Sequence, residues 1–398
     1  MPRSKTSTRA RATDRAGSAI LTAGLSERVT VSSDIYVIGV ATHPPAERHD
    51  GFRLEELVYH TSRAALDDAE ITRRELDSVT LGASDELDGR PISSMLLATP
   101  AGAFLTDETR VTDSGAMALC LAVARMLTGD FHIGLVASWC KTSKTDVELV
   151  ANAAAEPFYT RPLGMTSTLA EGLFAQAVTR RFALAAGEVA ERVVGAYERA
   201  SANPRGMRHR VPSADELEQS QYDATPLRSG HRAPLSDGAA ALVLATESWL
   251  RTHPGHRALA RIAGVGWATD SYRLDARRLS ELGSARSAWS MALAQAGVAD
   301  SSELHLVELD TPSGFHEAAL CRAFELADDR VSPSGGAFAQ NPLFCTGLVN
   351  VVEAVLQLCG RAGDVQRDRP RRAAAHSSHG YAQQGNVAIV LEGEGASK

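Results

Sequence analysis

Two histidines near the C-terminus are the side chains best suited to move a proton at neutral pH. His376 and His379 lie in the segment AAHSSHGYAQQGN, and an imidazole changes its protonation state close to physiological pH. The His-x-x-His spacing suits two ligands of a metal ion, but no third ligand is apparent, so we predict no metal site. An imidazole in this segment is a candidate proton carrier. The alternative is a histidine at a strand end that bonds to the backbone.

The five cysteines are scattered and form no Cys-x-x-Cys pair, which argues against a zinc knuckle or a redox dithiol. Such a set fits reduced thiols in a cytoplasm. Cys345, in a glycine-rich segment, is a candidate nucleophile, although a free cysteine is more commonly a small packing residue. Tyr159 and Tyr381 are candidate acid–base groups, with ordinary packing as the alternative.

The composition is that of a globular, mildly acidic chain. Of 398 residues, 44% are hydrophobic and 22% are charged, and the formal net charge is −7. A net acidic chain disfavours nucleic acid as a partner, because phosphate contacts need a basic face. No apolar run reaches the ~18 residues that a membrane-spanning helix needs. Residues 1–33 are rich in Arg, Ser and Thr, and we predict a disordered tail there.

The remaining chain repeats one pattern of strands and helices. Residues 35–42, IYVIGVAT, predict a buried strand, and an amphipathic helix and a second strand at 79–83 follow it. The second half begins in the same way with ARIAGVGW at 260–267. The stretch 65–79 aligns with 292–307 with one inserted residue. The repeat predicts a duplicated βαβαβ unit.

Each half also contains a helix that is apolar on all sides. The segments 114–130 and 346–364 both open with a small residue and a glycine. Since a helix without a polar face is buried all round, we predict that 114–128 and 346–359 pack against each other between two mostly parallel sheets. The predicted fold is of the α/β class, a five-layer α-β-α-β-α sandwich.

We place the N-terminal half at residues 34–250 and the C-terminal half at 251–398. The first half includes an insertion at about 141–232, with predicted helices at 166–184 and 187–203. This insertion is expected to lie as a lid or on a dimer face.

Three motifs resemble the thiolase and ketosynthase superfamily. They are PLSDGAAALVLATE at 234–247, LVELDTPSGFHEAAL at 306–320 and SPSGGAFAQNPLFCTGLVNVVEAVLQLCGRAG at 332–363. The resemblance covers nearly the whole chain after the tail and is closest to the sterol-carrier-protein-like thiolases. That branch includes aldolases and acyltransferases that pair with a small zinc-ribbon/OB-fold protein. The resemblance implies the thiolase fold.

The resemblance also implies an active site whose key positions have changed. Thr112 stands where the family has its nucleophilic cysteine, and a threonine hydroxyl needs an adjacent base; helix capping is the alternative role. Asn341 replaces the histidine of a His-Pro pair, and it can donate to an oxyanion but cannot take a proton. Thr311 replaces an acid–base cysteine. His376 is then the group left for proton transfer.

Two functions stay open on these grounds. One is an enzyme of specialised or lipid metabolism that acts on acyl thioesters of coenzyme A or a carrier protein, by acyl transfer or C–C bond formation or cleavage, without a cysteine nucleophile. The other is a non-catalytic subunit that pairs with a cysteine-bearing sister chain. The resemblance implies no permanently bound cofactor, and either function implies a cytoplasmic homodimer or heterodimer through the sheet edge near residues 104–112. A zinc-ribbon/OB-fold protein is a further candidate partner.

Overall fold

The computed structural model describes residues 34–185, 187–207 and 209–394, so the tail predicted at 1–33 lies outside the described part. The strands are β1 Ile35–Thr42, β2 Ser78–Gly82, β3 Asp107–Val111, β4 Ile133–Lys141, β5 Tyr222–Ala224, β6 Leu227–Arg228, β7 Asp237–Thr246, β8 Ala260–Thr269, β9 Leu306–Glu308, β10 Arg372–His379 and β11 Gly385–Glu392. The helices are α1 Leu54–Asp68, α2 Asp85–Asp88, α3 Ser94–Ala101, α4 Gly115–Met126, α5 Val147–Ala154, α6 Ser167–Phe182, α7 Glu188–Ala202, α8 Ala214–Gln219, α9 Glu247–Thr252, α10 Ala276–Glu281, α11 Gly283–Ala296, α12 Gly314–Phe324 and α13 Thr346–Leu358.

The sheet shows the duplication in its strand order, β3-β2-β4-β7-β1-β8-β11-β10-β9. In each half the last strand, β7 or β11, lies antiparallel between neighbours that share one direction. A short pairing of β1 with β8, at Tyr36 with Arg261 and Val37 with Ala260, joins the two half-sheets. The second half is less regular, because its third strand is reduced to one parallel bridge between Val307 and Val331.

The first helix of each half packs on its sheet over a glycine. A Cβ added to Gly39 in β1 would lie 2.5 Å from the carbonyl oxygen of Ala65 in α1. At the equivalent Gly264 in β8, an added Cβ would lie 2.1 Å from the carbonyl oxygen of Ala292 in α11. A side chain at either glycine would push helix and sheet apart. The same close contact in both halves is what a repeated unit predicts.

Helices α4 and α13 form the central layer, as the sequence predicts. Every residue of α13 from Thr346 to Gln357 is buried, and both helices share one hydrophobic cluster with strands of the two half-sheets. They approach closely at glycines near their N-termini: a Cβ on Gly115 would lie 3.0 Å from that of Leu348, and a Cβ on Gly347 would lie 3.2 Å from that of Ala116. Outer helices cover the other faces, α1 and α3 on the first half and α11 and α12 on the second. The five-layer sandwich is confirmed.

Helices α5 to α8 and the β5–β6 hairpin lie within the predicted insertion. Helix α6 contacts α10 and α12, and α7 contacts α12, so this segment packs on the second half. The approach is close at Gly335 (φ +87°), where an added Cβ would lie 2.5 Å from the backbone of Ala200 in α7. Among the described residues, none of the helices combines the length and apolar character of a membrane-spanning segment.

Candidate active site

A cavity of about 240 Å³ opens among the insertion, the glycine-rich segment and the C-terminal turn. The insertion contributes Glu171 and Arg232 to its wall, and the loop before α12 contributes Asp310. The other polar wall residues are Asp113, Ser167, Ser313, His316, Asn341, Ser378, His379 and Gln383. A cavity with so many ionisable and hydrogen-bonding groups suits a polar ligand or a reaction that moves protons.

Asn341 is the sequence-predicted residue that the fold holds most firmly in this wall. Ser236 forms two hydrogen bonds with the backbone of Asn341. The Asn341 N–H donates to Ser236 Oγ at 2.9 Å, and the Ser236 N–H donates to the Asn341 carbonyl at 3.1 Å. Its side-chain Oδ1 accepts a hydrogen bond from Thr346 Oγ1 at 3.0 Å. A Cβ on Gly238 would lie 3.1 Å from Pro342. The SDG motif therefore braces the Asn-Pro pair, and the amide Nδ2 is the part of Asn341 available to a ligand.

Thr112 lies outside the inner cavity. It lines an adjoining cavity of about 790 Å³ that shares Asp113 and Phe344 with the inner one. Thr112 is exposed, and α4 is capped by Ser114, whose Oγ accepts from the Met117 N–H at 3.1 Å. The alternative in which Thr112 caps the helix is therefore wrong.

Thr311 is buried and does not belong to the wall of either cavity. Its neighbour Asp310 lines the inner cavity instead. The Asp310 carboxylate accepts a hydrogen bond from the Ser378 N–H at 2.9 Å, and burial raises the pKa of Asp310 to about 6. The loop before α12 thus presents a carboxyl group, and not the predicted hydroxyl, to the cavity.

The side chains of His376 and His379 lie on opposite faces of strand β10 and have different surroundings. His376 is 1% exposed, does not line either cavity and places Nε2 2.8 Å from Asn386 Oδ1; burial lowers its pKa to about 4. His379 does line the inner cavity; burial lowers its pKa, while Asp113 acts in the opposite direction. The placement of His376 fits the structural alternative better than proton transfer, with a side-chain partner in place of the backbone.

The cysteine and tyrosine candidates lie away from the reactive space. None of the five cysteines belongs to the wall of either cavity. Cys345 is fully buried, its Sγ donates to the Ser138 carbonyl at 3.2 Å, and burial raises its pKa to about 12. Tyr381 donates a hydrogen bond to the carbonyl of Ala151 in α5. Tyr159 is exposed. Within the described residues, no cluster of three or more His, Cys, Asp or Glu side chains could hold a metal ion.

Three further wall residues that the sequence analysis does not name, Ser313, His316 and Glu171, lie close together. Ser313 and His316 lie in the motif LVELDTPSGFHEAAL, and their i, i+3 spacing at a helix start was a signal for a local contact. Ser313 Oγ lies 2.9 Å from His316 Nδ1. Glu171 comes from α6 and lies 3.2 Å from His316 Nε2. Because it approaches from the insertion, no sequence pattern could have joined it to the other two.

The five-layer duplicated architecture, with two buried helices at its centre, is the thiolase fold. Two solved structures of human mitochondrial 3-ketoacyl-CoA thiolase share it. The complex with CoA superposes with a TM-score of 0.73 at 17% identity, covering 91% of this chain and 98% of that one. A second structure gives a TM-score of 0.74 at 17% identity, covering 91% and 99%.

In sequence, the chain is similar to an acetyl-CoA acetyltransferase of Methanothermobacter thermautotrophicus (strain Delta H). The two are 28% identical over 374 residues, which cover 87% of this chain and 96% of that protein. No family model matches the chain.

Proposed function

We propose that this protein binds acyl thioesters, of coenzyme A or a carrier protein, and transfers the acyl group or makes or breaks a C–C bond without a cysteine nucleophile. The observation that carries the proposal is the position of Asn341, fixed in the wall of a polar cavity just before the buried helix α13. The similarity to a protein named acetyl-CoA acetyltransferase supports a thioester as substrate. The branch nearest in sequence motifs remains the sterol-carrier-protein-like thiolases.

In this proposal Asn341 Nδ2 donates a hydrogen bond to the thioester carbonyl oxygen. The bond strengthens as negative charge develops on that oxygen, and a donor fixed in advance needs no reorganisation during the reaction. Thr346 and Ser236 provide that fixation. The adjoining 790 Å³ cavity is the route by which the rest of the substrate reaches the carbonyl.

The absence of acyl-cysteine chemistry in the proposal has two supports. We align the exposed Thr112 with the family cysteine. The ionisable residues that line its cavity are the carboxylates Asp85, Glu86 and Asp113 and the guanidinium of Arg110, so the hydroxyl has no imidazole or amine base beside it. Burial raises the pKa of Cys345 to about 12, so its thiol is not a nucleophile at neutral pH.

Replacing Asn341 tests the oxyanion role. The variant Asn341→Asp keeps the shape of the side chain but exchanges the Nδ2 donor for an acceptor, and we expect kcat for thioester turnover to fall by roughly 10²-fold or more. Asn152→Asp makes the same exchange outside both cavity walls, where Asn152 Nδ2 donates to the Met165 carbonyl. The readouts are thiol release and product mass from a panel of acyl-CoA and acyl-carrier thioesters. Turnover that survives Asn341→Asp would contradict the role.

The second candidate function is a non-catalytic subunit of a heteromeric thiolase-type complex. It is favoured by the lining of the two cavities, which includes none of the five cysteines. It predicts that no thioester is turned over by the chain alone, and that activity appears only with a sister chain whose own cysteine is required. Copurification from the native cytoplasm, followed by cysteine substitution in the partner, separates the two functions. A zinc-ribbon/OB-fold protein would be identified in the same preparation.

A dimer is part of the proposal for either function. Among the described strands, β3 is at the end of the sheet order and pairs only with β2, so none of them covers its other edge. Directly before it, Phe104 is 58% exposed and Leu105 is 94% exposed. An open strand edge beside large apolar side chains favours pairing with another chain. We therefore keep the edge at residues 104–112 as the proposed dimer interface.

A further inference from the structure

The inner cavity brings together a serine, a histidine and a glutamate from two separate segments. Ser313 precedes α12 and His316 lies in its first turn, with Oγ 2.9 Å from Nδ1. Glu171 projects from α6 and places Oε2 3.2 Å from the other ring nitrogen, Nε2. All three side chains line the cavity. The order hydroxyl, imidazole, carboxyl is the order in which a base and its orienting group activate a serine.

The Ser313 hydroxyl is not used as an ordinary helix cap. A serine at the start of a helix commonly accepts a hydrogen bond from a backbone N–H of the first turn, and Ser213 does so in α8, accepting from the Glu216 N–H at 3.2 Å. Ser313 makes no such side-chain bond to the backbone of α12. Its hydroxyl is directed to the imidazole instead.

The imidazole is held in one plane by packing. The His316 ring stacks on Phe174, with centroids 4.3 Å apart and an angle of 18° between the planes. Phe174 lies three residues after Glu171 on α6, so one helix face supplies both the stacking ring and the carboxyl group. The His316 ring is fully buried, which removes the competing solvent contacts that would let it turn.

The atoms of His316 and Glu171 that face each other are buried, and neither forms a hydrogen bond with any other residue. His316 Nε2 and Glu171 Oε2 both lack one, although they lie 3.2 Å apart. Buried polar atoms are seldom left in this state, and where they are, a catalytic role or a missing ligand is a common reason. A small shift of either side chain completes the contact.

We propose that Ser313 is a nucleophile that takes up acyl groups from thioesters, with His316 as its general base and Glu171 as the positioning residue. This inference rests on the proposed function for its substrate. The Ser313 Oγ attacks the thioester carbonyl carbon and forms a C–O bond, while its proton passes to His316 Nδ1. The C–S bond then breaks, and the leaving thiolate takes that proton. The acyl-serine ester is cleaved by water or by an acceptor hydroxyl or amine, which restores the serine.

The ionisation of Glu171 sets the pH at which the serine is activated. Burial raises the pKa of Glu171 to about 8 and lowers that of His316 to about 3. Below pH 8 the carboxyl group is protonated and can donate to Nε2, which leaves the ring hydrogen on Nδ1. Above pH 8 the carboxylate accepts the Nε2–H, and Nδ1 is then free to accept the serine proton. The charged groups that face the pair are Arg232, Arg278, Asp310 and Glu148 around Glu171, and His376 near His316.

Reaction of the full chain with a fluorophosphonate tests serine activation without any thioester. This probe phosphonylates activated serines with loss of fluoride, and peptide mass spectrometry identifies the site. We expect Ser313 to be labelled, at a rate that rises between pH 7 and 9. In Glu171→Gln, which keeps the side-chain volume, the rate should fall by roughly 10²-fold and lose its rise with pH. Ser213→Ala changes a serine at another helix start, where the hydroxyl contacts the Glu216 carboxylate and no histidine; Ser313 in this variant should be labelled as in the wild type. An unlabelled Ser313, or an equal rate in Glu171→Gln, would overturn the proposal.

Thioester turnover separates this inference from the proposed function. Labelled Ser313 in a protein that turns over no acyl thioester, alone or with a partner, would support the activated serine and contradict the proposed function. Turnover that persists in Ser313→Ala, together with loss in Asn341→Asp, would support the proposed function and overturn the acyl-serine.

Discussion

The close approach of the central helix α13 to strand β10 makes the fold sensitive to substitution at Gly347. Gly347 lies in the first turn of α13, five residues after Pro342. A Cβ at this position would lie 2.0 Å from Ser377 Oγ and 2.2 Å from Ser377 Cβ. Ser377 is fully buried in β10, and its Cβ is fixed by the backbone, so no rotamer change removes the clash. The variant Gly347→Ala must therefore separate α13 from the sheet.

The expected loss of stability follows from two opposing contributions. Alanine in place of glycine favours a helix by about 1 kcal/mol. Overpacking of a filled core costs about 1–3 kcal/mol, and a contact that involves a backbone-fixed Cβ belongs at the upper end. The net expectation is a decrease of about 2 kcal/mol in the free energy of unfolding.

Urea denaturation of matched variants measures this decrease. Gly195→Ala makes the same exchange in α7, where the nearest atom is the flexible end of Arg199 at 3.3 Å, so we expect a gain of up to about 1 kcal/mol there. Ser377→Gly removes both clashing atoms, and in combination with Gly347→Ala it should recover most of the loss through a favourable coupling energy. Equal stability of Gly347→Ala and Gly195→Ala would refute the close packing described here.

Three further predictions concern charge, the outer cavity and assembly. Glu308 is buried, and desolvation, followed by the nearby Glu353, raises its pKa from 4.5 to about 7. As pH rises from about 4.5 to 7, the unfolded chain loses this proton while the folded protein keeps it, so the free energy of unfolding falls. The variant Glu308→Gln cannot ionise, so on the order of 3 kcal/mol of this fall should disappear when unfolding by urea is measured at several pH values. A difference in unfolding free energy between Glu308→Gln and the wild type that stays constant with pH would contradict this prediction. Thr112→Ala should change kcat for any thioester by no more than a few-fold. Detection of an acylated Thr112 peptide would contradict this prediction. Leu105→Asp should shift the protein to monomer in light scattering at micromolar concentration, and a dimer that persists in this variant would contradict the proposed edge.

The architecture could be predicted because its signals are local and repeated. The glycine and alanine pairs, Gly39 with Ala65 and Gly264 with Ala292, occur at the same points of both halves, and the all-apolar helices could only be buried. The third strand of the second half was the exception. Ser332, Gly335 and Gly336 adopt positive φ values of 41°, 87° and 54° directly after the bridge at Val331, and they turn the chain away before a strand can extend.

The candidate site could be predicted only where a motif fixes the backbone. Asn341 lines the inner cavity, and Ser236 of the SDG motif holds it there through hydrogen bonds to both its N–H and its carbonyl. In strand β10, side chains alternate between faces, so His376 and His379 point to different surroundings although both belong to one short motif. Only the tertiary structure shows that His379, and not His376, lines the cavity.

The sequence by itself determined the duplicated sandwich and its buried central helices, since periodicity and glycine spacing act within one element or between neighbours in the chain. The tertiary structure alone decided the composition of the cavity wall. Glu171 and His316 are far apart in the chain, and their 3.2 Å approach depends on how α6 of the insertion docks on α12. That docking is set by the shapes of two packed surfaces, which no linear pattern of residues encodes.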